Sequence, residues 1–184
     1  MAVLLMAMTS GTARADDSKP APRESFDKRI LSERMPRMEV EDDWFRANEW
    51  QIDAFGTFSD VMGGKTYRDG FGGGIGANYF WSKNWGAGLE GYWWEGSLPG
   101  DKVVHNAGIN IFYRWPIEDL RIAPYLFIGP GGHLNGEAEA SAHGGAGLEW
   151  RFIEHFGLFA DARYEWTTAP SDYVLYRTGI RYSF

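Results

Sequence analysis

The sequence predicts an all-β protein, an eight-stranded antiparallel up-and-down transmembrane β-barrel, on three observations. From residue 50 onward the chain consists of runs of about ten residues in which apolar and polar positions alternate, the period of a strand. The chain carries 9 Trp, 9 Tyr and 12 Phe beside 24 Gly among its 184 residues. So many rings need an apolar medium to face. No stretch approaches the roughly 20 apolar residues of a transmembrane helix, so a membrane could be crossed only by strands.

The elements follow in order. Residues 1–8 are apolar, and Ala13-Arg14-Ala15 places small residues where a signal peptidase cuts, so 1–15 reads as a signal peptide, although no Lys or Arg precedes the apolar run. Residues 16–49 are rich in Pro and mixed charge, with a weak helical pattern in Phe26, Ile30 and Leu31, and read as a periplasmic tether, disordered or partly helical. Residues 50–184 hold the barrel.

Its first run, 50–58, sets Trp50, Ile52, Ala54, Gly56 and Phe58 against Gln51, Asp53 and Thr57. The second, 70–81, turns Phe71, Ile75, Ala77, Tyr79 and Trp81 outward, and the third, 85–94, opposes Ala87, Leu89 and Trp93 to Glu90. The fourth, 103–115, alternates Ala107, Ile109, Ile111, Tyr113 and Trp115 with Asn106, Gly108, Asn110 and Arg114, a pattern no helix produces. In the fifth, 121–129, both faces are apolar; Ala123, Tyr125 and Phe127 are assigned outward, and Pro124 counts against a strand because it cannot donate to a ladder. The sixth, 142–152, alternates Ala146, Leu148, Trp150 and Phe152 with His143, Glu149 and Arg151. The seventh, 156–166, sets Leu158, Ala160, Ala162 and Tyr164 against Asp161, Arg163 and Glu165, and the eighth, 174–184, sets alternate residues from Val174 to Phe184 against Arg177, Gly179, Arg181 and Ser183.

An even number of antiparallel strands lets the sheet close with both ends on one side, which removes the unpaired edges that lipid cannot satisfy. Short turns at 82–84, 116–120 and 153–155 are assigned to the periplasm, and longer loops at 59–69, 95–102, 130–141 and 167–173 to the outside. Aromatics gather at the strand ends as membrane girdles: Trp50, Trp81, Trp85, Trp115, Phe152, Phe156 and Phe184 on the turn side, and Phe58, Phe71, Trp93, Trp166 and Tyr173 on the loop side. A soluble barrel of the lipocalin kind would put the apolar face inside; here the charged set is the minority face and rings crowd both ends.

Composition excludes several functions. The formal charge of −7 and four scattered His give no basic footprint for nucleic acid. With no Cys, disulfides and thiolate metal sites are ruled out. His105, His133 and His155 have no second ligand at a metal spacing, so no metal or cofactor is expected.

The segments Pro124-Tyr125-Leu126-Phe127, Gly144-Gly145-Ala146-Gly147-Leu148-Glu149-Trp150 and Tyr176-Arg177-Thr178-Gly179-Ile180-Arg181-Tyr182-Ser183-Phe184 resemble the OmpA-like and OmpX-like small outer-membrane β-barrels, over residues 50–184. The resemblance implies residence in a Gram-negative outer membrane, contact with its lipid and lipopolysaccharide, and recognition of the terminal strand ending in Phe184 by the barrel-assembly machinery. A monomer is expected, with no cell-wall-binding domain after Phe184.

Two candidate sites follow. The inward positions collect Asp53, Glu90, Arg114, Glu149, Arg151, Asp161, Arg163, Glu165, Arg177 and Arg181, charges that must pair in a narrow barrel; they read as a salt-bridge plug, with a gated pore or proton path as the alternative. Ser141 and His143 share strand parity near Glu137 and Glu139, as a lipid-modifying hydrolase or acyltransferase would require. The lipid A deacylase pattern, a His followed two places later by Ser, is absent in that order, so a structural or surface-interaction barrel without catalysis is the expected function. Its loops, with Asp60, Lys65, Arg68, Asp69, Glu95, Asp101 and Lys102, suit surface contact without specifying a ligand.

Overall fold

The computed structural model describes residues 43–62, 68–96, 103–134, 139–168 and 172–184. The expected signal peptide, most of the tether and the centres of the loops lie outside the described residues. Eight strands form: β1 (Glu49–Val61), β2 (Gly70–Phe80), β3 (Trp85–Trp94), β4 (Val104–Arg114), β5 (Ile122–His133), β6 (Glu139–Ile153), β7 (Phe156–Thr167) and β8 (Tyr173–Ser183). Each pairs antiparallel with the next, and β8 returns to β1, with Asp53 opposite Arg181 and Gly56 opposite Thr178. Trp50 and Phe184 exchange both backbone hydrogen bonds (3.0 and 2.9 Å) at the turn end of this seam.

Burial alternates along every strand. The outward positions are exposed and apolar, among them Ile52, Ile75, Leu89, Ile109, Ile128, Leu148, Leu158 and Ile180, while buried positions carry Gln, Asn, Asp, Glu and Arg. That is the reverse of a soluble barrel, and an exterior of this kind is stable only against lipid.

The fifth strand corrects the expected facing. Ala123, Tyr125 and Phe127 point inward and are buried, and Leu126 and Ile128 face out. Both faces of β5 are apolar, so alternation cannot choose between them; pairing does. Tyr125 lies opposite Gly147 and Phe127 opposite Gly145, and β6 must turn Glu149 and Arg151 inward, which carries their row partners inward too. The two glycines make room: a Cβ on Gly145 would meet the Phe127 ring at 2.7 Å, and one on Gly147 the Tyr125 hydroxyl at 2.6 Å.

Pro124 is accommodated on the outward face, where its carbonyl accepts from Trp115 N (2.9 Å). At Pro130 the β4–β5 pairing is interrupted between Gly108↔Gly131 and Ile111↔Ile128 without a change of register, as the missing N–H requires. There Gly129 lies so close to the Ile109 carbonyl oxygen that no Cβ fits. β5 and β6 run further than predicted, into the expected loop 130–141, so Ser141 is a strand residue. Glu49, expected in the tether, is the first residue of β1.

Candidate functional site in the barrel lumen

Among the described residues the lumen holds six buried carboxylates, Glu49, Asp53, Glu90, Glu149, Asp161 and Glu165, and five buried guanidiniums, Arg114, Arg151, Arg163, Arg177 and Arg181. Each stands at an inward parity position of its strand, so the alternation that exposes the apolar face to lipid also assembles this column.

At the turn end Glu49 accepts from Arg114 Nη1 (3.0 Å) and from Arg151 (2.8 and 2.6 Å). Arg151 Nε also donates to Glu149 (2.7 Å). Arg181 links this layer to the next, donating Nη1 to Glu149 Oε2 (2.7 Å) and forming a two-pronged pair with Asp53 (2.7 Å each). Asn78 supplies a further donor to Asp53 (2.9 Å). Towards the loops, Arg177 clasps Asp161 with two bonds (2.7 and 2.9 Å) and also reaches Glu90. Arg163 pairs with Glu90 from the other side, and Tyr125 donates its hydroxyl to Asp161 (2.6 Å).

Ser141, His143 and Glu165 come together on the loop side of this column. Ser141 Oγ donates to Glu165 Oε1 (2.7 Å), and His143 Nε2 donates to Asn110 Oδ1 (2.7 Å). His143 Nδ1 stands 3.7 Å from Glu165 Oε1. The serine is therefore hydrogen-bonded to the carboxylate and not to the imidazole, so the serine–histidine contact of a nucleophile and its base is not formed. All three point into the lumen, away from lipid. Above them a buried apolar cluster includes Tyr92, Trp94, Val104, Tyr173 and Leu175. Tyr173, assigned to the loop-side girdle, is instead wholly buried, with its hydroxyl 3.2 Å from that of Tyr92.

Residues 43–48 close the turn end. Phe45, fully buried, lies between the guanidiniums of Arg114 and Arg151 (5.2 and 4.4 Å to the ring centroid). The carbonyls of Trp44 and Arg46 accept from Arg151 and Arg114, and Arg46–Glu154 and Lys83–Asp43 pairs hold the rim. Trp44 N donates to Glu118 (3.1 Å), at the start of the short 3-10 turn Glu118–Leu120, while Arg121 covers the Trp44 ring (4.2 Å). Partial burial pushes the Glu118 carboxyl above the usual carboxylate range.

The girdle residues Trp50, Trp81, Trp85, Trp93, Trp115, Trp166 and Phe184 are all exposed on the outer surface. Neighbouring rings pair there, Trp50 with Tyr79 (4.9 Å) and Trp85 with Tyr113 (4.8 Å) at the turn end, Tyr164 with Trp166 (5.0 Å) at the loop end.

Sequence reasoning missed Glu49 and the Phe45 stopper, faced Tyr125 outward, and placed Asn78 inward without joining it to the charged set. Glu49 was within reach, since it shares parity with Gln51 and Asp53; Phe45 precedes any alternation and left no signal.

Solved structures with this arrangement are similar over nearly their whole length. Ail of Yersinia pestis matches with a TM-score of 0.58 and 17% identity, over 75% of this chain and 99% of its own. Neisserial surface protein A matches at 0.57 and 14%, over 73% and 97%. The N-terminal β-barrel domain of Pseudomonas aeruginosa OprF matches at 0.53 and 19%, over 75% and 98%. The fold is that of the small outer-membrane β-barrels. No protein-family model and no curated protein matches the sequence. Within the outer-membrane barrel fold, the OmpA-like and OmpX-like resemblance holds for architecture: eight strands, up-and-down order and closure of β8 on β1.

Proposed function

We propose that this chain is a structural or surface-interaction protein of the outer membrane, a closed barrel that presents its loops outside and conducts nothing through its lumen. The observation that carries this reading is the unbroken ion-paired column from Glu49 to Glu90, in which each carboxylate meets a guanidinium at the barrel's narrow centre. A hydrated ion would have to break several buried pairs to pass. The stopper formed by residues 43–48 adds a second closure at the turn end.

The leader 1–15 exports the chain, and the exposed apolar belt between the two girdles takes up lipid and lipopolysaccharide as a monomer. The barrel-assembly machinery engages the strand ending in Phe184. No catalysis is assigned to Ser141 and His143, because the serine hydroxyl is committed to Glu165 and both side chains face away from lipid.

Planar-bilayer recording on the refolded protein tests the closed lumen, and no unitary conductance is expected. Steady channels that survive purification would overturn the plug. Mass spectrometry of lipid A and phospholipids incubated with the protein, beside Ser141→Ala and His143→Ala controls, tests the absence of catalysis. A mass change lost in both controls would make this an enzyme.

A further inference from the structure

Pro124 and Pro130, both on the outward face of β5, each remove one donor from the ladder to β4. Hydrogen-bonded and non-hydrogen-bonded pairs alternate along an antiparallel ladder. The odd-numbered residues of β4 are the ones that bond to β5, since Leu134 N donates to the His105 carbonyl (2.8 Å) and Trp115 N to the Pro124 carbonyl (2.9 Å). On the register that pairs Gly108 with Gly131 and Ile111 with Ile128, Ile109 stands opposite Pro130, which has no N–H to return to the Ile109 carbonyl. Both backbone groups of a ladder residue face the same neighbour, so β3 cannot serve this carbonyl either. Gly129 comes against the oxygen instead, so close that a Cβ there would lie 1.7 Å from it. The Cα–H that Gly129 offers is worth about half an N–H bond.

Position decides how much this matters. Pro124 strips the Trp115 carbonyl of its donor in the same way, but Trp115 belongs to the turn-side girdle, where water is at hand. Ile109 lies further in, four residues along β4 from His105, the row neighbour of the girdle residue Trp93. Its carbonyl is therefore inside the hydrocarbon layer, where lipid replaces water as the solvent of the outer surface. The surface above it is not smooth. Leu89, Ala107, Ile109 and Pro130, with the backbone of Gly108 and Gly131, line an open groove of about 420 Å³ across β3, β4 and β5. A water molecule's share of volume is roughly 30 Å³, so the groove takes a length of chain and not a single small molecule. Hydrocarbon fills such a groove but brings no donor to the carbonyl.

We propose that this groove binds an acyl chain that carries a hydroxyl group, from a lipid of the outer leaflet, with the methylenes along Leu89, Ala107 and Ile109 and the hydroxyl donating to the Ile109 carbonyl. A hydroxyl is the donor that fits: it is neutral, whereas an ammonium or guanidinium would bring its charge into hydrocarbon. The site makes the lipid contact of the proposed function specific to one chain chemistry. It rests on the reading that the barrel spans the membrane with its loops outside, and it does not depend on whether the lumen is closed.

The test reads the carbonyl itself. Ile109-Asn110 is the one Ile-Asn pair in the sequence and Ile111-Phe112 the one Ile-Phe pair, so carbonyl-labelled isoleucine with nitrogen-labelled asparagine and phenylalanine marks these two peptide bonds by magnetic resonance. Ile111 is the internal control, because Ile128 opposite it has an N–H. In full-length protein refolded into phosphatidylcholine nanodiscs, 3-hydroxytetradecanoic acid is expected to shift the Ile109 carbonyl resonance and leave that of Ile111 in place, while tetradecanoic acid moves neither. Pro130→Ala gives the carbonyl an N–H, and Ala107→Leu fills the groove without touching the ladder; each should abolish the shift. No shift at Ile109, an equal shift with both acids, a shift shared by Ile111, or one that survives either folded variant would overturn the proposal. Insertion is read separately from gel mobility of the folded form and closure from bilayer recording, so failure of the site is distinguishable from failure of the membrane or plug readings.

Discussion

Arg181 is the best place to measure what the lumen's ion pairs contribute. Its three bonds of 2.7 Å join Asp53 to Glu149, and its guanidinium lies over the Phe159 ring at 4.7 Å. In Arg181→Met, Asp53 keeps only the Asn78 amide and Glu149 keeps only Arg151. A buried carboxylate stripped of its cation costs about 3–5 kcal/mol. Adding Asp53→Leu removes that stranded charge, leaving the lost bonds of Glu149 and Asn78, each about 1 kcal/mol. The double variant should therefore lose only about 2 kcal/mol, less than Arg181→Met alone, with a coupling of about 1–3 kcal/mol or more in the cycle. Equilibrium urea unfolding in lipid vesicles, followed by tryptophan emission and by gel mobility of the folded form, measures all four corners. A loss below about 1 kcal/mol for Arg181→Met, or a double variant that loses the sum of the singles, would show that water screens this layer and would refute the buried ion-paired plug.

Four further outcomes are expected. Phe45→Ala should leave the barrel folded by gel mobility but make residues 43–48 susceptible to protease, because the ring fills the space between Arg114 and Arg151. Gly129→Ala should sharply lower the urea midpoint, since its Cβ would collide with the Ile109 carbonyl; Gly56→Ala, whose Cβ would sit 3.9 Å from the nearest atom, should be near neutral. Burial raises Glu118, so ionising it costs the folded state. Its contribution to stability grows as pH falls from the raised value to the ordinary carboxylate range, and Glu118→Gln should flatten that part of a stability-against-pH curve. Deleting Phe184 removes the hydrogen-bonded partner of Trp50 at the seam and should slow barrel insertion, measured as the rate of appearance of the folded gel band.

Seven of the strands were legible in facing as well as in position: in six the inward face carries charge, and in β2 glycines and Asn78 stand against Phe71, Ile75 and Tyr79. For β7, Asp161, Arg163 and Glu165 can only go inward if Leu158 and Tyr164 meet lipid, so two-residue periodicity decides the matter. β5 carries no such asymmetry. Tyr125 and Phe127 are as large and apolar as Leu126 and Ile128, and the information that separates them lies on β6, in Gly145 and Gly147. Facing in a closed sheet is a property of rows, and a strand read by itself lacks the row. Strand ends at 130–141 were misjudged for a related reason: Pro130, Gly131 and Gly132 have loop composition, yet they lie where a bare wall is needed beside Ser141 and Glu165. The paired charges were visible as a set, but not who pairs with whom, because partners such as Asp53 and Arg181 are brought together only by closure of β8 on β1.

Carboxylates are not the only groups that hold the guanidiniums. Arg114 lies 3.8 Å from the Phe80 ring, Arg163 4.6 Å from Tyr92, Arg181 4.7 Å from Phe159 and Arg151 4.4 Å from Phe45, while Arg177 sits between Phe55 and Phe127. Each planar cation therefore meets a carboxylate at its edge and an aromatic ring on its face, a division that arginine allows and lysine does not. The inward rings are thus part of the charge system and not filler between its members. This explains why β5 buries Tyr125 and Phe127 when two aliphatic residues were available to it: an aliphatic side chain in place of Phe127 would cover Arg177 without the ring's attraction, and at Tyr125 it would also leave Asp161 without its hydroxyl donor. The glycines of β6 are the structural counterpart of that choice, since only a residue without a Cβ leaves the rings space to lie across the sheet and reach the charges at the centre.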